Sequence, residues 1–152
     1  MISAILLAAG QSKRLAGENK LLKQFKNKPL IHHSLISFQK SRVNKIIIVL
    51  GYQSKKLKKI IKNNKKISYV INKNFKQGIS SSIKAGLRKI NKKDKGFIIA
   101  QSDMPFIKTN DINRIYKSIK NRKYLVHALK YKNRIGNPIG FDVSVLKKFN
   151  KI

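Results

Sequence analysis

The sequence predicts an α/β fold in three layers, with a mainly parallel sheet between two layers of helices. Two kinds of segment alternate along the 152 residues. Short apolar runs such as Lys45-Ile46-Ile47-Ile48-Val49-Leu50 lack polar alternation, which is expected of strands buried on both faces. Between them lie longer segments with apolar residues at helical spacing, such as Ile83, Leu87 and Ile90. Strict alternation of the two kinds argues βαβ units, whose right-handed crossovers place helices on both faces of the sheet.

Each element has its own signal. Ile2 to Ala8 reads as the first strand, closed by Gly10. Leu21 to Asn27 reads as a connector. Pro29 opens a helix through about Lys40, since proline loses no hydrogen bond in a first helical turn. Lys45 to Leu50 is the second strand, ended by Gly51. Ser54 is expected to cap a basic helix from about Lys55 to Lys65, with Leu57, Ile60 and Ile61 inward. Ile67 to Ile71 is the third strand and Ile79 to Ile90 the next helix. Gly96 to Ala100 is the fourth strand, broken by Asp103-Met104-Pro105. Thr109 or Asn110 caps a helix through about Lys120. Tyr124 to Leu129 is a fifth strand, Pro138 to Phe141 a short sixth, and Val143 to Phe149 begins a last helix.

Composition narrows the class. A chain of this length builds one domain with a real core, so residues 1–152 are expected to form a single domain. Hydrophobic content of 41% argues against disorder despite the charge. There is no cysteine, which excludes disulfides, thiol nucleophiles and thiolate metal sites and fits a cytoplasmic location. No apolar run approaches the roughly 18 residues of a membrane span, and no signal peptide is read at the start.

The net charge is +31, from 36 Lys and Arg against 5 Asp and Glu. Such charge attracts anions and small phosphates. It does not by itself argue nucleic-acid binding. The excess is lysine rather than the arginine favoured for bidentate recognition, and it is spread over every segment instead of forming one stripe.

In parallel α/β sheets, ligands bind outside the carboxyl ends of strands. Four loops there carry residues with chemistry to offer. After the first strand, the small residues around Gly10 let a ligand approach the backbone closely, and free N–H groups can face an anion. Arg14 and Lys20 add fixed positive charge there. The loop is neither a P-loop nor a G-x-G-x-x-G turn. After the third strand, Gly78 and Ser80-Ser81-Ser82 open a helix. Ser80 or Ser81 can serve as a cap, or the hydroxyls can line a base or ribose pocket. Asn72 is a further candidate. After the fourth strand stands Asp103, one of the few acids. It is either a turn residue before proline or a hard-oxygen ligand for Mg2+. After the fifth strand, Gly136-Asn137-Pro138 signals a turn. His32, His33 and His127 stand apart from these loops and read as structural.

The segment Leu7 to Leu22 reads Leu-Ala-Ala-Gly-Gln-Ser-Lys-Arg-Leu-Ala-Gly-Glu-Asn-Lys-Leu-Leu. It resembles the signature loop L-A-A-G-x-S-x-R-x-G-x-x-N-K-L-L of the molybdenum cofactor cytidylyltransferases, a MobA-like NTP transferase family. The family's glycine two places after the arginine is Ala16 here, with Gly17 following. The run from Asn72 through Gly78 to Ser82 resembles that family's nucleobase segment, Ser102-Asp103-Met104-Pro105 its acidic motif, and Gly136 to Phe141 a segment near its second substrate.

The resemblance implies a Rossmann-like fold of the nucleotide-diphospho-sugar transferase type. It implies an enzyme that moves CMP from CTP onto a phosphorylated acceptor, molybdenum-bearing molybdopterin, and releases pyrophosphate. On this likeness Leu7, Ala8, Ala9, Gly10, Ser12, Arg14 and Lys20 bind the nucleotide, with Gly78 and Ser82 at its base. Arg14, Lys20 and Asp103 are catalytic, Asp103 holds Mg2+, and Gly136, Asn137 and Pro138 border the acceptor. A molybdoenzyme or its chaperone is the implied protein partner. The family continues into a Gly-Asp-x-Gly segment past the last helix, where this sequence ends at Ile152, so either a fragment or a shortened domain without turnover is expected.

Overall fold

The computed structural model describes residues 1–12 and 17–149. Its elements in chain order are β1 (Ile2–Ala8), the two-residue strands β2 (Gln24–Phe25) and β3 (Lys28–Pro29), α1 (Leu30–Lys40), β4 (Lys45–Leu50), α2 (Ser54–Ile60) and β5 (Ile67–Ile71). They are followed by α3 (Ile79–Leu87), β6 (Gly96–Gln101), α4 (Thr109–Lys120), β7 (Val126–Tyr131), β8 (Arg134–Asp142) and α5 (Leu146–Phe149). β2 and β3 pair as a small antiparallel ribbon. The main sheet has six strands in the order β5-β4-β1-β6-β8-β7.

β1 pairs in parallel with β4 on one side and β6 on the other, and β5 extends the parallel set. Only β8 runs antiparallel to its neighbour β6, and it returns as a hairpin with β7. Alternate residues of the central strands enter two separate cores. Leu6, Ile46, Ile48 and Ile98 face Phe38 of α1, Leu57 of α2, and Ile112 and Ile115 of α4. Ile5, Ile47, Val49 and Phe97 face Leu87, at the end of α3, and Leu146 of α5. The continuous apolar runs therefore serve both faces at once, which is the physical basis of the three layers.

Close approaches hold the layers. A Cβ on Gly86 would lie 2.5 Å from Ile5 Cγ2, so α3 rests directly on β1. A Cβ on Gly140 would lie 2.5 Å from Ile115 Cγ2, seating α4 on β8.

Several local expectations are corrected. Ser54 is the first residue of α2 rather than its cap. The cap position is Gln53, in the left-handed region at φ 50°, with no side-chain capping bond. α2 ends at Ile60 because the chain turns at Asn64 to feed β5: the Asn64 carbonyl accepts Ile67 N–H at 2.9 Å. Neither Ser80 nor Ser81 caps α3, whose cap position is Gly78 at φ 100°. α3 closes at Leu87, short of Ile90. For α4 the cap position is Lys108, not Thr109 or Asn110. The Asp111 carboxylate reaches back to accept the Lys108 N–H at 3.1 Å. The last strand is not short: β8 begins at Arg134, and the hairpin turns at Lys132 and Asn133. Gly136-Asn137-Pro138 lies inside β8, where the register shifts between Ala128 and Leu129. The Asn137–Pro138 peptide is cis.

Candidate functional site

The carboxyl ends of β1, β4, β5 and β6 lie on one edge of the sheet, and the loops leaving them converge. The β1 loop starts where Leu7 and Ala8 end the strand. The Leu7 carbonyl accepts Ser102 N–H at 3.2 Å, which ties this loop to the one after β6. The Ala9 carbonyl accepts Tyr52 N–H at 3.2 Å, which ties it to the loop after β4. Gly51 makes that junction possible. A Cβ there would lie 2.7 Å from Phe75 Cβ, 2.8 Å from Ala9 Cβ and 2.9 Å from Ala9 O. A Cβ on Gly10 would meet nothing among the described residues within 4 Å, which leaves the loop backbone there open to a ligand on their side.

The far end of the β1 loop is also held. Ser12, in the left-handed region at φ 52°, accepts Lys20 N–H at 3.1 Å. Buried Asn19 accepts Leu21 N–H at 3.0 Å and donates to the Tyr52 carbonyl. The Tyr52 hydroxyl donates to the carbonyl of Gly17. Lys20 is thereby aimed across the gap at Asp103, and its ammonium is ion-paired with the carboxylate 83 positions away.

These loops enclose a cavity of about 350 Å³, within the range of small-molecule sites. It brings together Leu7, Ala8, Ala9, Gly10, Ser12, Lys20, Gly78, Ser82 and Asp103, all singled out from the sequence. Arg14 lies outside the described residues. Gln11, Leu21, Phe75, Lys76, Ile79 and Gln101 also line it and were not foreseen. Phe75 and Ile79 carry no polar signal, so only the fold identifies them as walls.

Each of the five acids has a partner or a cap to make. Glu18 pairs with Lys23, Asp94 with the N-terminal ammonium, and Asp103 with Lys20. Asp111 caps α4, and Asp142 accepts Ser144 N–H at 2.9 Å. Asp103 is the acid at this cavity. Among the described residues, no three His, Cys, Asp or Glu side chains gather as a metal site. One carboxylate at the mouth of a cationic cavity still fits Mg2+, which takes one or two carboxylates and completes its shell with substrate phosphates and water.

Gly136 and Asn137 border a different cavity, of about 540 Å³, between Met104 to Ile107 and the β7–β8 hairpin. It begins one residue past Asp103, and Arg114, Lys130 and Arg134 give it positive charge. Pro138 is buried and does not line it. The histidines lie elsewhere. His32 Nε2 bonds the Ile60 carbonyl at 3.0 Å, His33 Nε2 the Phe25 carbonyl at 2.6 Å, and His127 Nδ1 the Ser118 hydroxyl at 2.7 Å. No helix among the described residues is long and apolar enough to cross a membrane.

Comparison with known proteins agrees with this geometry. Residues 4–152 match the model of the MobA-like NTP transferase domain. The chain is 32% identical over 142 residues to a 2-C-methyl-D-erythritol 4-phosphate cytidylyltransferase of Lachnoclostridium phytofermentans, covering 88% of this chain and 58% of that protein. Among solved structures, Rv0371c of Mycobacterium tuberculosis H37Rv superposes with a TM-score of 0.86 at 18% identity, covering 99% of this chain and 76% of that one. Its manganese complex superposes with a TM-score of 0.81 at 16% identity, over the same shares of the two chains. These likenesses share the fold: a mostly parallel sheet flanked by helices, of the nucleotide-diphospho-sugar transferase type.

Proposed function

The chain belongs to the MobA-like NTP transferase family, and from that premise we propose that it moves CMP from CTP onto a small phosphorylated acceptor, releasing pyrophosphate. The observation that carries this is the single cavity into which the small-residue loop after β1, the Lys20 ammonium and the Asp103 carboxylate converge. A cytidylyltransferase among the relatives supports CTP as the nucleotide.

In this reading residues 1–152 work as one domain in the cytoplasm. The open backbone at Gly10 and the N–H groups from Ala8 to Ser12 receive the triphosphate. Arg14 and Lys20 neutralise it, and Lys20 leaves its pairing with Asp103 to do so. Gly78 and Ser82 face the base. Mg2+ held by Asp103 would offset further phosphate charge, and the manganese complex of a structural neighbour supports a divalent cation.

An oxygen of the acceptor phosphate attacks the α-phosphorus. The new P–O bond forms as the bond between α-phosphorus and bridging oxygen breaks, and pyrophosphate leaves with that electron pair. No covalent enzyme intermediate is needed, so the protein contributes positioning and charge. The acceptor lies toward Gly136 and Asn137, where Arg114, Lys130 and Arg134 favour an anion. The resemblance supports molybdenum-bearing molybdopterin. The relative's name supports a methylerythritol phosphate instead, so both belong in the assay.

The test is calorimetric binding of CTP, GTP and ATP with and without Mg2+ at about 150 mM salt, where surface attraction is screened beyond about 8 Å. It is run beside Asp103→Ala, with pyrophosphate release measured for each acceptor. Metal-dependent CTP preference that is lost in the variant is expected. Equal, metal-independent binding that fades with salt would refute the reading. CTP preference without turnover on either acceptor would mark a nucleotide binder that does not catalyse transfer.

A further inference from the structure

We propose that Asn72 is a specificity-determining positioning residue: it makes the Ser82 hydroxyl a hydrogen-bond donor toward the cavity, which favours a cytosine over a uracil ring. This rests on the reading of Ser82 at the base.

Asn72 follows β5 and is buried, with 6% of its surface exposed. Its amide orientation is set by its neighbour. Asn74 N–H donates to Asn72 Oδ1 at 3.0 Å, and only the oxygen of the side-chain amide can accept. The NH2 group is therefore on the other side, where it donates to Ser81 Oγ at 2.9 Å and to Ser82 Oγ at 3.0 Å. Both of its hydrogens are used, and both serine oxygens act as acceptors.

The two hydroxyl hydrogens then have different fates. Ser81 lies against the Asn74 carbonyl at 2.9 Å and the Gly78 carbonyl at 2.8 Å, so its hydrogen is satisfied inside the protein. The Ser82 hydrogen has no acceptor among the described residues, and Ser82 lines the cavity with Gly78 and Phe75. What Ser82 offers to a ligand is an O–H donor.

Both rings present an acceptor at O2, and they differ at N3, which is a lone pair in cytosine and an N–H in uracil, so the preference belongs to a Ser82 hydrogen directed at N3. Against cytosine the Ser82 hydrogen finds a partner. Against the uracil N3–H the oxygen must use its remaining lone pair, and its own buried hydrogen is left without an acceptor. An unsatisfied buried donor of this kind costs enough to lower affinity roughly 5- to 100-fold.

The experiment measures the Kd of CTP and UTP, each with Mg2+, for wild type, Asn72→Asp, Ser82→Ala and the double variant, with thermal melts as a folding check. Wild type should prefer CTP by roughly tenfold or more. A carboxylate at position 72 would accept the Ser82 hydrogen and turn its outward face into an acceptor. The CTP-to-UTP ratio should then fall to about one or invert. The added charge weakens both nucleotides alike, so the ratio isolates the effect. Ser82→Ala should also abolish the preference, and Asn72→Asp on that background should change the ratio no further.

A folded Asn72→Asp that keeps the wild-type ratio overturns the inference, as does Ser82→Ala with that ratio intact. Should Asn72→Asp fail to fold, Asn72→Ala replaces it, and a folded Asn72→Ala that keeps the wild-type ratio likewise overturns the inference. Wild type that binds CTP and UTP equally, yet prefers both to purines, overturns this inference and leaves the nucleotide reading standing. No preference among CTP, GTP and ATP is the failure of that reading itself.

Discussion

Gly10, which lines the cavity, and Gly51, which packs behind its wall, should respond to alanine alike in CTP affinity and differently in stability. At Gly51 the new Cβ would lie 2.7 Å from Phe75 Cβ, 2.8 Å from Ala9 Cβ and 2.9 Å from Ala9 O. None of these is the free end of a flexible side chain. All three are fixed to backbone, so relief requires moving the loop after β1 or the turn after β5. Overpacking of this kind costs about 1–3 kcal/mol. For a chain near 150 residues each kcal/mol lowers Tm by about 2–4 °C, so Gly51→Ala should melt about 4–8 °C below wild type for a mid-range cost of about 2 kcal/mol. Because Ala9 and Phe75 both line the cavity, CTP affinity should fall with it. At Gly10 the Cβ meets nothing among the described residues within 4 Å. Gly10→Ala should keep the wild-type Tm and lose CTP affinity, since the methyl stands at the proposed approach of the phosphates. Differential scanning fluorimetry and calorimetry on both variants decide it. A Gly51→Ala melt within about 1 °C of wild type would refute the packing argument. Unchanged CTP binding by Gly10→Ala would refute the placement of the phosphates.

The remaining predictions concern stability. Phe38→Ala removes a wholly buried ring from the core between the sheet and α1, and should lower unfolding free energy by about 3–5 kcal/mol in urea titration. Gly140→Ala places a methyl 2.5 Å from Ile115 Cγ2 and should cost about 1–3 kcal/mol while leaving CTP affinity intact, because Gly140 does not line the cavity. Asp111→Ala removes the α4 cap and should cost about 1 kcal/mol by the same titration. For Asp142, burial pushes the carboxyl up, but hydrogen bonds from Ser144 and the nearby Arg122 and His127 outweigh it, and its pKa lies below the ordinary 3.8. A carboxyl lowered in the folded state adds stability that is fully present above about pH 4 and is lost as pH falls through the folded value. The stability gap between wild type and Asp142→Asn should therefore narrow as pH falls from 6 below 3.8, and a constant gap would contradict the assignment.

The parts of the fold legible in the sequence were those where one physical term dominates. β1, β4 and β6 are buried on both faces, so their apolar runs could hardly be read otherwise. The edge hairpin was harder to read. Gly136-Asn137-Pro138 has the composition of a turn, yet it lies within β8, while the actual turn uses Lys132 at φ 51°, without glycine. Pairing with β7 overrides local preference there. Cap residues were misassigned for a related reason. The hydroxyls of Ser81 and Ser82 engage Asn72, and that of Ser81 also the carbonyls of Asn74 and Gly78, instead of free helix N–H groups. At the cavity, the small residues after β1 stand together in sequence and could be found there. Lys20 and Asp103 are separated by most of the chain, and motif likeness rather than spacing linked them. Likeness to the family's nucleobase segment makes Asn72 a candidate, but the proposed orienting of Ser82 depends on an amide orientation that only Asn74 reveals.

The central position of β1 also bears on how the chain acquires its shape. β1 leaves the ribosome early, but both of its edges are completed late. β4 arrives only by Leu50, and β6 only by Gln101. Until β6 is made, β1, apolar but for Ser3, therefore lacks one of its two neighbours. Such delayed, non-local pairing slows folding and leaves an open edge prone to wrong partners. The loop after β1 is then among the last pieces of geometry to form, since its tie to Ser102 requires β6 to be in place.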